Sequence, residues 1–220
     1  MTRRGKDVAS ETERVRSIQD KTAPRYDRQM SFFDRVLFAD GRQWACSQTQ
    51  GEVLEIAVGT GRNLAHYPAG ARLTGIELSD EMLAIARRRA TDLGIDADLR
   101  RGDAQALEFA DDSFDTVVIT LALCTIPDDR GAVREVRRVL RPGRRLVLLE
   151  HVRSPAAPVR AVQRLLDPLS VRFEADHLVR DPLDYLAAEG FEIEAVQRLK
   201  WGIVERVTAR KPAAAPHEVT

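Results

Sequence analysis

The stretch VLEIAVGTG, residues 53–61, limits the possible folds more than any other part of the chain. An apolar run through Val58 ends at Gly59-Thr60-Gly61, the pattern of a buried strand stopping at a glycine-lined turn where backbone can approach a ligand. From there strand and helix patterns alternate. Residues 72–78 read as a second strand, followed by a helix capped by Ser79 or Asp80, carrying Met82, Leu83, Ile85, Ala86 and Ala90 inward and ending near Gly94. Residues 98–101 are a short third strand, and 114–121 (FDTVVITL) a fourth, nearly all β-formers. A helix over 130–140 stops at Arg141-Pro142-Gly143, and 145–152 (RLVLLEHV) form a fifth strand. Residues 155–180 are an insertion rich in Pro and Arg, and 183–189 are a helix closed by Gly190. The last two strand patterns, 191–198 and 202–209, lie too close for a parallel return, which needs about a dozen residues. They are therefore expected to pair antiparallel. The alternation predicts a mainly parallel α/β sheet with helices on both faces.

The flanks are less regular. Residues 1–20 are polar and helix-permissive, and are expected to be partly disordered until something docks on them. Residues 23–38 carry Met30, Phe33 and Leu37 at helical spacing, with Phe32, Val36 and Phe38 alongside, and predict one or two amphipathic helices across a site or a sheet edge. Residues 211–220 read as a disordered tail. Lys+Arg 34 against Asp+Glu 34 gives formal net charge +0, so global charge makes no case for nucleic acid or an anionic membrane. Two cysteines, Cys46 and Cys124, are too few for a disulfide framework and fit a reducing, cytoplasmic setting. No apolar run approaches the roughly 20 residues that span a bilayer.

In a doubly wound sheet, ligands bind beyond the carboxyl ends of the strands where the strand order reverses, which puts Gly59 and Gly61 at the site. A nicotinamide dinucleotide favours G-x-G-x-x-G, but the third position from Gly59 is Leu64. Counted from Ala57 the pattern is A-x-G-x-G, with Glu55 before it; that acid opposes a pyrophosphate and suits a cationic ligand with an amino group.

Five motifs in order carry a resemblance to the class I S-adenosylmethionine-dependent methyltransferases, over about residues 24–210. The family's D/E-x-G-x-G-x-G is matched by Glu55 to Gly61, and its acid ending strand two by Glu77 in TGIELSDEML. Gly102-Asp103-Ala104 follows strand three, SFDTVV begins at Ser113, and RVLRPGR at Arg138 stands for R-V-L-R-P-G-G. The chain is most similar to the quinone/phospholipid-type and thiol methyltransferase branch. Two departures stand out. Arg144 replaces a glycine, and Ala57 replaces another, its methyl being tolerable on the premise of a negative φ.

The resemblance implies a Rossmann-like, seven-stranded mainly parallel sheet with the last strand antiparallel, and S-adenosyl-L-methionine as cofactor. It implies roles residue by residue. Gly59 and Gly61 bring amides to the methionine portion, Glu77 accepts from both ribose hydroxyls, and Leu78 packs on the adenine. Asp103 accepts from the adenine amine, with the Ala104 amide facing the ring. Glu55 anchors the loop or the ammonium group. Ala57, Asn63, Thr120 and Leu121 complete the cofactor set, and Tyr26 either covers the methionine end or is a packing tyrosine. His151 is the candidate base, a structural histidine being the alternative, with Asp176 and His177 as helpers. Cys124 reads first as a small buried hydrophobe. No Cys/His spacing suggests a metal site. Residues 1–45 are expected to form a helical lid, joined by the 155–180 insertion, over a catalytic domain at 46–210. The expected function is methyl transfer to a small or amphiphilic acceptor: a quinone, lipid headgroup, thiol or secondary metabolite. A nicotinamide-dependent oxidoreductase and a non-catalytic cofactor-binding protein are the alternatives. No nucleic-acid partner is expected; peripheral membrane contact, and a monomeric or homodimeric state, stay open.

Overall fold

The structure, a computed structural model, describes residues 3–213. Seven strands form one sheet: β1 Glu52–Ile56, β2 Arg72–Glu77, β3 Ala97–Arg101, β4 Phe114–Thr120, β5 Leu140–His151, β6 Glu192–Leu199 and β7 Val204–Arg210. Their order is β3-β2-β1-β4-β5-β7-β6. The first five pair parallel, while β7 runs antiparallel to both β5 and β6. The short gap between the last two strands forces the antiparallel β6/β7 pairing, as the sequence indicated. The order reverses between β1 and β4, so the ends of those strands frame a crevice.

Six helices surround the sheet: α1 Arg3–Phe33, α2 Gly41–Ser47, α3 Asp80–Leu93, α4 Asp129–Val139, α5 Ala157–Glu174 and α6 Leu183–Leu186. α3 begins where the Ser79 hydroxyl accepts from the Met82 amide at 3.1 Å, and it ends at Gly94 with φ 65°. α4 is capped by Asp128 and buries Ala132, Val133, Val136 and Val139, one stripe at helical spacing. Apolar clusters fill both faces of the sheet, one around Leu54, Ile119 and Leu148, the other around Val53, Val118 and Leu149. The two alternate along the central strands β1, β4 and β5, the period-two signature of strands buried on both sides.

Three boundaries depart from the sequence reading. Residues 1–20 are expected to be partly disordered, yet α1 is helical from Arg3 and runs through Pro24. Its inward contacts are few, Val15 and Ala23 being the buried apolar residues, so its pattern is faint in the sequence. Second, Arg141-Pro142-Gly143 does not sit outside the elements but belongs to β5. Gly143 N–H donates to Lys211 O, and Arg141 and Arg144 both pair with Asp115, which accounts for arginine where the family motif has glycine. Third, the 155–180 insertion holds an 18-residue helix, α5. Of the expected tail, Lys211 is tied to Asp112 and to Leu140 O, while residues 214–220 lie outside the described residues.

Candidate functional site

The chain leaves β1 through a loop that turns left-handed three times: Ala57 at φ 54°, Gly59 at φ 58° and Gly61 at φ 79°. The premise of a negative φ at Ala57 is therefore corrected. A Cβ there sits in a region that costs an L-residue roughly 1–2 kcal/mol. At Gly61 a Cβ would meet Leu64 Cδ1 at 2.8 Å and the Ala86 backbone at 3.2 Å, so this glycine lets α3 pack against the loop. Glu77, buried at the tip of β2, holds the turn in place. Its Oε2 accepts from Gly59 N–H at 2.9 Å and its Oε1 from Ser79 N–H at 2.9 Å. Burial pushes its pKa up, against the pull of these amides. A carboxylate offers about four lone-pair sites, so two remain for a ligand.

Ala57, Glu77, Leu78, Asp103 and Ala104 line one cavity, bringing five of the sequence-predicted residues together from three loops. Its volume is about 30 Å³, room for about one water. The space is narrow because α1 crosses it, contributing Val15 and Gln19. Gln19 Oε1 is buried with no hydrogen-bond partner among the described residues. Such an orphaned acceptor normally costs stability, and here it belongs to a residue that lines the same cavity as Glu77. Next along the helix, Asp20 accepts from the Ser79 hydroxyl at 2.6 Å, fastening α1 to the start of α3. Asp103 is held by Gln105, whose amide also reaches Thr12 of α1 at 3.0 Å. Val15, Gln19, Asp20 and Gln105 were missed in the sequence. Gln105, two residues past Asp103, is the one that motif position pointed toward.

Glu55 and Asn63 lie beneath the loop. Glu55 accepts from Asn63 Nδ2 and Tyr67 OH, each at 2.8 Å, and Asn63 also donates to Thr120 Oγ1 at 2.9 Å. Of the two roles considered for Glu55, its hydrogen bonds fit the loop anchor. Burial raises its pKa to about 7. Arg42 joins Asn63 to Asp34, and Arg62 reaches Asp34 as well. Asp27 accepts from Thr60 Oγ1 at 2.6 Å and pairs with Arg89, locking α1 to the turn from the other side. Between these contacts Tyr26 is half-buried. Burial pushes its phenol up to about 12, and Arg42, Cys124 and Glu77 are among its titratable neighbours.

Beyond the crevice, the ends of β4 and β5 carry a second group. Leu121 leaves β4 at φ 55° with its N–H on Leu149 O at 2.8 Å. Glu150 Oε1 accepts from Ala122 and Leu123 N–H, both at 3.0 Å, while its Oε2 is buried without a partner among the described residues. His151 Nε2 lies 2.9 Å from Asp176 Oδ1. Burial lowers the imidazole pKa, but the Asp176 carboxylate outweighs it and the net shift is upward; Asp176 itself is held low by His151. An ionised Asp176 only accepts, so Nε2 carries the hydrogen and Nδ1 is the free basic atom. Cys124 is buried, as read from the sequence, its thiol pushed well up by burial and then by Asp176. The donor atoms of Cys124, His151 and Asp176 all lie within 4.8 Å of one another, a convergence from three loops that sequence spacing did not reveal. His177 does not join it through a side-chain hydrogen bond among those described; its N–H donates to Cys124 O.

Residues 54–148 match the family described as Methyltransferase domain. The chain is 39% identical over 126 residues to a phosphatidylethanolamine N-methyltransferase of Cereibacter sphaeroides, covering 56% of this chain and 60% of that protein. It is 32% identical to a ubiquinone/menaquinone biosynthesis C-methyltransferase of Geotalea daltonii, covering 63% of each. These alignments thus span about three fifths of both relatives. The thiol S-methyltransferase TMT1A of Homo sapiens is 30% identical over 190 residues, covering 81% of this chain and 77% of that protein. A crystal structure from Thermotoga maritima, titled a SAM-dependent methyltransferase, superposes with TM-score 0.71 at 23% identity, covering 90% and 99% of the two chains, and speaks for the fold alone.

Proposed function

The chain belongs to the class I S-adenosylmethionine-dependent methyltransferases, and from that premise we propose that it binds S-adenosylmethionine beneath α1 and methylates a small or amphiphilic acceptor, a lipid headgroup, quinone or thiol. The observation that carries this reading is the single cavity joining Ala57, Glu77, Leu78, Asp103 and Ala104. The family membership favours this reading over the nicotinamide and non-catalytic alternatives. The relatives named above methylate at nitrogen, carbon and sulfur by their own descriptions, so the acceptor atom is a matter for this chain's own chemistry.

The residues fit the cofactor. Glu77 keeps two acceptor sites for the ribose diol, and Gln19, whose Oε1 is unpartnered among the described residues, lines the same space. Asp103 and Ala104 would take the adenine edge, Leu78 and Ala57 its faces. The Gly59–Gly61 turn, walled by Thr120 and Leu121 and covered by Tyr26, would take the methionine portion. When bound, S-adenosylmethionine supplies an electrophilic methyl group on a positively charged sulfur. What remains for the protein is alignment and exclusion of water, and orientation alone supplies roughly 7–11 kcal/mol in good cases. In this reading residues 1–45, with α5, are the lid over the domain at 46–210. An acceptor that arrives protonated gives its proton to His151 Nδ1, while Asp176 holds the ring through Nε2 and steadies the imidazolium. Two free, buried cysteines suit a reducing, cytoplasmic setting.

Isothermal titration of the purified chain with S-adenosylhomocysteine tests the reading. We expect saturable binding that Glu77→Ala weakens by about tenfold or more, since two charge-assisted contacts are lost. No heat with the folded wild-type chain would overturn it.

A further inference from the structure

Helix α5 is built inside out. Val162, Leu165, Leu166, Leu169 and Phe173 recur at spacings of three and four and so form one stripe, and that stripe faces outward: Leu165 is 76% and Phe173 62% exposed. The polar side of the helix is what holds it to the protein. Gln163, its buried residue, accepts from Ser154 N–H at 2.8 Å and donates to Val152 O and Leu178 O. Asp167 accepts from Leu178 N–H at 2.7 Å, and Arg14 of α1 donates to Val171 O. A helix tethered by its polar residues with its apolar stripe turned to solvent is ordered for something outside the fold.

The ends of the stripe say what that is. At one end Arg172 lies over the Phe173 ring at 5.9 Å. At the other, Trp201, 76% exposed, is fixed to the start of α5 through its carbonyl on Ser154 Oγ, with Lys200 exposed beside it. The end of α1 and the helical turn after it, Asp34–Phe38, repeat the composition: Phe32, Phe33 and Val36 are exposed together with Arg25, Arg28 and Arg35. The acids of that segment, Asp27 and Asp34, are engaged in ion pairs with Arg89, Arg62 and Arg42. Exposed cations next to exposed aromatic and aliphatic side chains, on a chain of formal net charge +0, match the interface of an anionic bilayer, where rings sit at headgroup level and cations meet phosphate. A second copy of the chain is the poorer partner, because it would bring like cations together.

We propose that α5, with Trp201 and the exposed end of α1, docks on the surface of an anionic lipid bilayer, so that an acceptor dissolved in the membrane reaches the site without crossing water. The inference rests on the methyl-transfer reading for its purpose but not for its test. The route is short: α5 ends at Ala175 in the left-handed conformation, and the next residue is Asp176, on His151. Docking would thus seat the bilayer against the helix that positions the candidate base.

Cosedimentation of the full chain with vesicles of phosphatidylcholine alone, and with about a third phosphatidylglycerol, tests the proposal. Binding is expected to the mixed vesicles and to weaken with salt. The double variant L165E/L169E, altered at exposed positions, should lose about tenfold or more of that binding while its thermal midpoint stays unchanged. Wild-type chain left in the supernatant, or a variant that binds equally well, would overturn it, as would a dimer that the variant dissolves with no vesicle binding by either chain. A chain that binds vesicles in this way but not S-adenosylhomocysteine would sink the methyl-transfer reading and leave the docking face standing.

Discussion

Ala57 sits at φ 54° where the family motif has glycine, and this single residue sets a measurable strain on the loop. Replacing it by glycine relieves about 1–2 kcal/mol, offset by about 0.4–1 kcal/mol from the freer unfolded chain. We expect Ala57→Gly to raise the unfolding free energy by up to about 1.5 kcal/mol, seen as a higher denaturant midpoint, and to leave S-adenosylhomocysteine binding intact; a destabilised variant would mean that the methyl is packed and not strained. The second residue-scale prediction concerns His151. Its folded pKa is raised by Asp176, and only the neutral ring accepts a proton, so activity on a protonated acceptor should fall as pH drops through that raised value. Asp176→Asn removes the charge that raises it. The acid limb of the kcat/KM profile should move to lower pH, with the plateau reduced about 10–100-fold by a weaker, less well oriented base. A limb that stays in place while the plateau drops would leave Asp176 a purely structural partner.

Among the elements, the sheet and the last third of α1 were legible and the first two thirds of α1 were not, for one physical reason. The central strands are buried on both faces and write their pattern as continuous β-former runs, as in Phe114–Thr120, where five residues in a row are buried. The site residues at their ends, Glu77 and Asp103, came from the family resemblance, whose motifs lie at the ends of those strands. α1 contributes Val15, Gln19 and Asp20 from a stretch whose composition resembles a solvated tail, and its docking rests on polar contacts with distant loops. Local pattern carries no record of those. Asp20 makes this testable. Removing its carboxylate forfeits the bond from Ser79, worth about 1.5–3 kcal/mol, together with its pair with Arg16, so Asp20→Ala should speed S-adenosylhomocysteine release in stopped flow by about tenfold or more. An unaltered release rate would separate α1 from the lid role.

Across the whole molecule, the buried carboxyl groups predict an unusual dependence of stability on pH. Burial pushes Glu55, Glu150 and Glu205 each to about 7, and they lie at the carboxyl ends of β1 and β5 and at the start of β7, with Glu150 and Glu205 directly opposed in register. For a carboxyl raised in the folded state, the fold holds a proton that the unfolded chain has lost, so stability falls as pH rises from about 4.5 through about 7. His151, raised as well, adds in the same direction, its contribution being lost as pH climbs through its folded value. Against them, Asp27, Asp115 and Asp176 are lowered, and their stability is lost as pH falls below the ordinary aspartate range. The two sets meet at mildly acidic pH, where the thermal midpoint should peak before declining toward pH 8. Glu150→Gln is the sharpest probe, because its Oε1 can still accept from Ala122 and Leu123 while the unpartnered Oε2 no longer has to ionise. The shift in Glu150 corresponds to roughly 3 kcal/mol at full ionisation. The variant should therefore be more stable than the parent at pH 8 and nearly equal to it at pH 5, with a shallower slope between. A parent midpoint that keeps rising to pH 8 would show that these carboxyls ionise freely. Since Glu150 adjoins His151, the same protons that set the stability of the rim would then have no hold on the site.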